Sequence, residues 1–233
     1  MVKSMESNLR ASIKSDRFLS SIRIDSYADS LSPTPTPYTF FKRLFDLVFA
    51  IIACLPAVFI IILISVAIIL DDYGPIFSNQ MRVGKNGKLF LLFKFRTMKT
   101  YNKENVHIQA SKADSRFTRV GTFLRKTTLD ELPQLFNILK GEMSFVGPRP
   151  LLPCEILNNG TRPIFLKDLP GYEKRHSVTP GLTGFAQIYA PRNLPQDQKF
   201  LCDLIYIKKR NFWLDLKLIF LSLLRTFKCR WEV

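Results

Sequence analysis

The sequence is poor in the residues that build metal centres and disulfide frameworks. Of 233 residues, two are histidine and four are cysteine. Cys54, Cys154, Cys202 and Cys229 lie far apart and form no C-x-x-C pair. That spacing argues against zinc and against a disulfide scaffold, and for reduced thiols facing a cytoplasm. His107 and His176 are distant from each other and from any cysteine, so both are expected as surface or loop residues rather than transition-metal ligands. Acids are scarce as well, 19 against 34 lysines and arginines, for a net charge of +15. Such an imbalance points to an anionic partner: nucleic acid, anionic lipid or a phosphorylated substrate. No internal repeat is present, and 47% hydrophobic content suffices for one sizeable core.

Charge is missing altogether from LVFAIIACLPAVFIIILISVAIIL, residues 47–70. A straight helix there would reach roughly 36 Å at about 1.5 Å per residue, enough for a bilayer core of about 30 Å. Pro56 divides the run into arms of roughly 20 Å, too short to cross alone but long enough to enter and return. Flanking cations do not separate the sides: Lys42 and Arg43 precede the run, and Arg82, Lys85 and Lys88 follow it. A proline kink in a spanning helix satisfies the same pattern, so residues 38–70 are expected in a membrane by either route. Residues 1–37 are polar and serine-rich and end in SPTPTP. They read as a disordered tether, not as a signal peptide.

Residues 71–233 carry the remaining pattern. MRVGKNGKLFLLFKFRTM (81–98) holds an Asn86-Gly87 pair between apolar runs, a hairpin signal because both residues accept positive φ. Residues 112–125 read as a short basic connector. PGLTGFAQIYAPRN (180–193) is rich in turn formers and reads as a loop or short irregular strand. NFWLDLKLIFLSLLRTFKCRW (211–231) is expected as a helix whose aromatics and cations suit a membrane surface, although packing on a core explains the pattern too.

The chemistry centres on RKTTLDELPQ, residues 125–134. Thr128 and Glu131 fit a capping box, with Leu132, Leu135, Phe136 and Leu139 at helical spacing and Gly141 as terminator. The competing reading gives the two carboxylates a task. Arg125 and a helix start would keep Asp130 ionised, and an ionised carboxylate can attack phosphorus. Asp130 and Glu131 with a diphosphate also make a Mg²⁺ site, since that ion needs only one or two protein oxygens. Pro148 and Pro150 stiffen the backbone at Arg149, suiting its guanidinium to a phosphate or equally to a lipid headgroup. Lys94 and Arg96 fall at i, i+2 on an expected strand and would share one face.

Five segments carry a resemblance to a known family: KRLFDLVFAIIACLPAVFIII, RVGKNGKLFLLFKFRTM, LRKTTLDELPQLFNILKGEMSFVGPRPLL, PGLTGFAQ and WLDLKLIF. In this order they resemble the bacterial polyprenyl-phosphate sugar-1-phosphate transferases, the monotopic phosphoglycosyl transferases that start surface glycans. The similarity covers roughly residues 40–228. It implies an α+β, mostly helical protein of the inner membrane. An N-terminal re-entrant helix broken near Pro56 would anchor it, and a cytoplasmic catalytic domain would carry a small β-hairpin and interfacial amphipathic helices. It also implies that Asp130 is the nucleophile and that Asp130 and Glu131 bind Mg²⁺. Lys94, Arg125, Arg149, Gln187 and Asp203 form the implied substrate-binding set, with Asp215 a further family acid; Arg96, from its expected strand face beside Lys94, and Arg192, from the loop after TGFAQIY, complete the candidate set. The implied partners are a UDP-sugar, polyprenyl phosphate and membrane lipids rather than nucleic acid, with a homodimer as a further expectation. The family usually has Gly-Arg-Asn after TGFAQIY, where this chain reads Ala190-Pro191-Arg192-Asn193. Proline cannot supply a positive φ, so the shape of that loop and the choice of sugar are not carried over. A membrane-tethered basic adaptor and a metal-dependent membrane phosphatase are the rival readings.

Overall fold

The computed structural model describes residues 24–31, 36–100, 116–156, 163–190 and 194–227. Its helices are α1 (Ile24–Asp29), α2 (Thr36–Asp71), α3 (Arg119–Thr127), α4 (Gln134–Lys140), α5 (Tyr172–His176), α6 (Phe185–Tyr189), α7 (Gln196–Lys209) and α8 (Phe212–Phe227). Its strands are β1 (Gln80–Val83), β2 (Leu89–Leu92), β3 (Ser144–Val146), β4 (Cys154–Ile156), β5 (Pro163–Phe165) and β6 (Gly181–Thr183). β1 with β2 and β4 with β5 pair antiparallel, and β3 pairs β6 in parallel. The expected mostly helical α+β character is what the chain forms.

α2 is one helix of 36 residues that passes through Pro56 without interruption. This corrects the expectation of a helix broken there. Proline removes one amide donor and crowds one carbonyl, and neither change stops the helical path in α2. A narrow stripe of α2 packs on the rest of the chain. Ala50 and Ala57 meet Phe90, Leu135, Ile138 and Met143, and Ile64 and Ile68 meet Phe95 and Leu124. The opposite side leaves Leu55, Phe59, Leu63 and Leu70 exposed, spaced four and seven residues apart as one helix face requires.

Polar contacts tie both ends of α2 to the same domain. At the start, Lys42 pairs with Asp215 at 2.6 Å and Arg43 donates to the carbonyls of Ile138 and Leu139. At the end, Asp71 accepts from the Val120 amide at 2.7 Å, inside the first turn of α3. A helix held at both ends by one domain lies along it instead of projecting away.

The Asn86-Gly87 turn forms as expected, with φ of 56° and 75°, and joins β1 to β2. α8 also forms, leaving Trp213, Phe220 and Leu223 exposed. Two expectations fail, and one holds only for its short strand. Residues 119–127 are a helix capped by the Thr118 hydroxyl, not a connector. PGLTGFAQIY yields both β6 and the short helix α6. Residues 24–31 are folded rather than part of a disordered tether, with Ala28 and Leu31 buried against α7 in the largest core cluster.

Candidate active site

The carboxylates sit in a corner, not on a capped helix. α3 ends at Thr128 in the left-handed conformation, φ 58° and ψ 14°. A single 3₁₀ turn, Leu129–Glu131, follows, and α4 starts after Pro133. The Thr128 side chain makes no cap bond there, so the capping box does not form. With φ positive, Thr128 cannot turn its hydroxyl toward the amide of Glu131 as an extended cap residue does. Gly141 does terminate α4, at φ 84°, its amide donating to the carbonyls of Asn137 and Ile138.

The 3₁₀ turn presents Asp130 to Lys94. The ammonium stands 2.7 Å from Asp130 Oδ2 and 3.8 Å from Glu131 Oε1. The Phe95 amide, one residue on, donates to the Asp130 carbonyl at 3.0 Å. Asp130 is 3% exposed. Burial pushes its carboxyl above the usual carboxylate range against the pull of Lys94. For Glu131 the balance is reversed. Burial would raise it, but Arg149, Lys94 and Arg82 together hold it below the ordinary value. Arg149 donates to Glu131 Oε1 at 3.1 Å while half of its side chain stays exposed.

The backbone under Arg149 is fixed from two sides. Beyond the β3–β6 ladder, Gly147 donates to Thr183 and Gly181 donates to the Pro148 carbonyl, both at 2.9 Å. A Cβ on Gly181 would collide with the Gly147 amide nitrogen, so glycine is required for this approach. Arg175 then donates to the Arg149 carbonyl at 2.7 Å.

One cleft gathers these groups: Arg82, Leu92, Lys94, Glu131, Gln134, Arg149, Pro150, Gly181 and Leu182 line it. Asp130 lies behind Lys94. Three cations therefore face two acids, which leaves a net positive charge suited to an anion. The carboxylates are hard oxygen donors of the type Mg²⁺ takes. Lys94 and Arg149 already occupy them, so the pair fits the ion when a diphosphate brings its own charge with it. Among the described residues no group of three or more His, Cys, Asp or Glu side chains gathers.

The structure brings Asp130, Glu131, Lys94 and Arg149 together, with Arg125 close enough to act on Asp130. Other expected site residues stand elsewhere. Arg96 is buried against the end of α2, bonded to the Asp72 carbonyl and to Thr100 and paired with Asp72 Oδ2 at 3.4 Å. Lys94 and Arg96 therefore reach different partners, although Phe95 between them bridges antiparallel to Phe77. Asp203 is 2% exposed and pairs with buried Arg175 at 2.9 Å; it supports the Arg149 backbone from behind. Gln187 donates to the Leu182 carbonyl from α6 and does not line the cleft. Asp215 accepts from Lys42, Tyr38 and Tyr206, joining α2 to α7 and α8. Arg192 lies outside the described residues.

His176 is buried, contrary to the surface expectation. Burial, then the neighbouring Arg175, lowers it to about 4. A neutral ring there accepts from Arg175 at Nε2 and donates from Nδ1 to the Tyr172 carbonyl. Sequence reasoning missed Arg82 and Gln134 as cleft residues and Arg175 and Asn137 as supports. Arg82 alone left a signal, being a cation on an expected hairpin strand.

The profile of a family described as bacterial sugar transferase matches residues 37–229. Among curated proteins, the UDP-glucose:undecaprenyl-phosphate glucose-1-phosphate transferase of Klebsiella pneumoniae is 40% identical over 80% of this chain and 40% of its own length. A UDP-N-acetylgalactosamine-undecaprenyl-phosphate N-acetylgalactosaminephosphotransferase of Aeromonas hydrophila is 38% identical over 82% of this chain and 44% of its own. The exopolysaccharide production protein PSS of Rhizobium leguminosarum bv. phaseoli is 36% identical over 77% of this chain and 91% of its own. The chain thus spans less than half the length of the first two and nearly all of the third.

Proposed function

The chain belongs to the bacterial sugar transferase family, and from that premise we propose that it is a phosphoglycosyl transferase moving a sugar-1-phosphate from a UDP-sugar to polyprenyl (undecaprenyl) phosphate. The observation that carries the reading is the buried Asp130–Lys94 pair at 2.7 Å behind a cleft rimmed by Arg82 and Arg149.

Burial raises the Asp130 carboxyl while Lys94 and then Arg125 favour its charged form, and little solvent needs to be stripped from it before attack. The donor diphosphate replaces the carboxylates as partner of Lys94, Arg82 and Arg149, which uncovers Asp130. An Asp130 oxygen then bonds to the β-phosphorus, the bond to the bridging oxygen breaks, and UMP leaves with the electron pair. The product on the protein is an aspartyl phospho-sugar. An oxygen of the lipid phosphate attacks the same phosphorus, the bond to Asp130 breaks, and polyprenyl diphosphate-sugar departs with the carboxylate restored. Arg149, stiff in its backbone and half exposed, clamps phosphate oxygens in both steps. Asp130 and Glu131 would hold Mg²⁺ beside the diphosphate, and that ion would neutralise charge on the departing UMP.

The acceptor is dissolved in a bilayer and the donor in water, so the site must stand at their boundary. The exposed apolar side of α2 and the aromatic side of α8 suit such a boundary, with the unbroken α2 lying along the domain to which both its ends are tied. We place the catalytic domain on the cytoplasmic face of the inner membrane, where UDP-sugars are available.

The test is to incubate the protein in membranes with sugar-labelled UDP-sugar, Mg²⁺ and polyprenyl phosphate and to follow the label. Label entering lipid supports the reading. Release as free sugar phosphate would identify a phosphatase, and no turnover an adaptor.

A further inference from the structure

The backbone beside Lys94 is bonded by a side chain from α4. Asn137, on α4, is fully buried. Its Oδ1 accepts from the Phe93 amide at 3.0 Å, and its Nδ2 donates to the Leu91 carbonyl at 2.8 Å and to Glu142 Oε2 at 2.7 Å. One carboxamide therefore bonds the backbone on either side of Leu92 as a neighbouring strand would, at the point where β2 loses its partner β1. Two residues further, the Phe95 amide reaches the Asp130 carbonyl. Lys94 is the residue between these two anchors.

We propose that Asn137 is a positioning residue for Lys94, fixing the Leu91–Phe93 backbone so that the ammonium meets Asp130. The residue type follows from the bonding pattern. Aspartate has no hydrogens for Leu91 and Glu142, leucine has neither donor nor acceptor, and alanine leaves the part-buried Phe93 amide and Leu91 carbonyl without this partner. The catalytic consequence rests on the function proposed above. The placement of Lys94 does not, and it can be read without turnover.

The experiment is brief acetylation of the full chain in lipid nanodiscs with an N-hydroxysuccinimide ester, followed by mass spectrometry of each lysine. Exposed Lys174 and Lys209 serve as internal references. Freeing Lys94 from its carboxylate in Asn137→Ala should raise its labelling relative to the references by roughly fivefold, the factor for about 1 kcal/mol of lost pairing. Asn137→Asp keeps the volume and the acceptor for Phe93, and should give a smaller rise in the same direction. Leu139→Ala also loosens α4 but removes none of these bonds, and its Lys94 ratio should stay at the wild-type value. An unchanged ratio in both Asn137 variants, or an equal rise in Leu139→Ala, would overturn the proposal. In parallel, kcat for UMP release should fall about tenfold in Asn137→Ala and donor KM should rise as well, because Lys94 also meets the donor diphosphate. Faster labelling with unchanged kcat would uphold the positioning role and refute instead the catalytic role given to Lys94.

Discussion

Replacing Asp130 with asparagine should abolish transfer and leave the protein at least as stable as before. The side chain is 3% exposed, its ion-pair partner is Lys94, and burial holds its carboxyl above the ordinary range. A carboxyl whose folded pKa is raised binds protons more readily in the folded state. In its charged form it subtracts stability, and the subtraction fades as pH falls through the raised value. Asparagine removes that burden and nearly keeps the volume. Lys94 is not stranded by the change, being 27% exposed and 3.8 Å from Glu131, so the penalty for an abandoned buried charge is avoided. The expected gain is roughly 1 kcal/mol, or about 2–4 °C for a chain of this size. Thermal unfolding in detergent, followed for both proteins from neutral pH downward, measures it. The gap between the melting curves should narrow as pH approaches the raised pKa of Asp130. A variant melting several degrees below wild type would refute this balance of burial against pairing, and retained transfer would refute the catalytic assignment.

Two further outcomes follow from the geometry. Arg149→Lys keeps the charge but loses the fork, and should lower kcat/KM for the donor about tenfold to a hundredfold, read by UMP release with unchanged thermal stability. His176, lowered to about 4 from an ordinary 6.5, folds neutral, so stability should fall as pH drops from about 6.5 to about 4. The loss should total about 3 kcal/mol at about 1.4 kcal/mol per unit, and His176→Asn should flatten that part of the melting-point profile.

Local signals in the sequence were reliable where one residue carries the reason. Asn86-Gly87 marks a turn because both take positive φ, and Gly141 ends α4 for the same reason. The apolar run and the aromatic C-terminal segment each form one helix. α3 escaped notice because Gly121 and its basic residues weaken the helical pattern. That glycine is demanded by packing, since a Cβ there would strike the Thr97 carbonyl. The paired carboxylates and the proline-framed arginine were also legible, because their unusual neighbours are neighbours in sequence.

What the chain order alone determined is therefore the inventory: the membrane-seeking helix, the hairpin, and an acid pair set among cations in a pattern typical of one family. Which charges gather at the cleft and which pair elsewhere was decided by tertiary structure. Lys94 and Arg96 are two residues apart, yet one reaches Asp130 and the other the end of α2. Asp130 and Asp203 are both buried acids, yet one stands behind the cleft and the other is bonded to Arg175 behind it. A charged side chain looks the same in sequence in either role. Its partner is selected by burial, which brings together segments far apart along the chain.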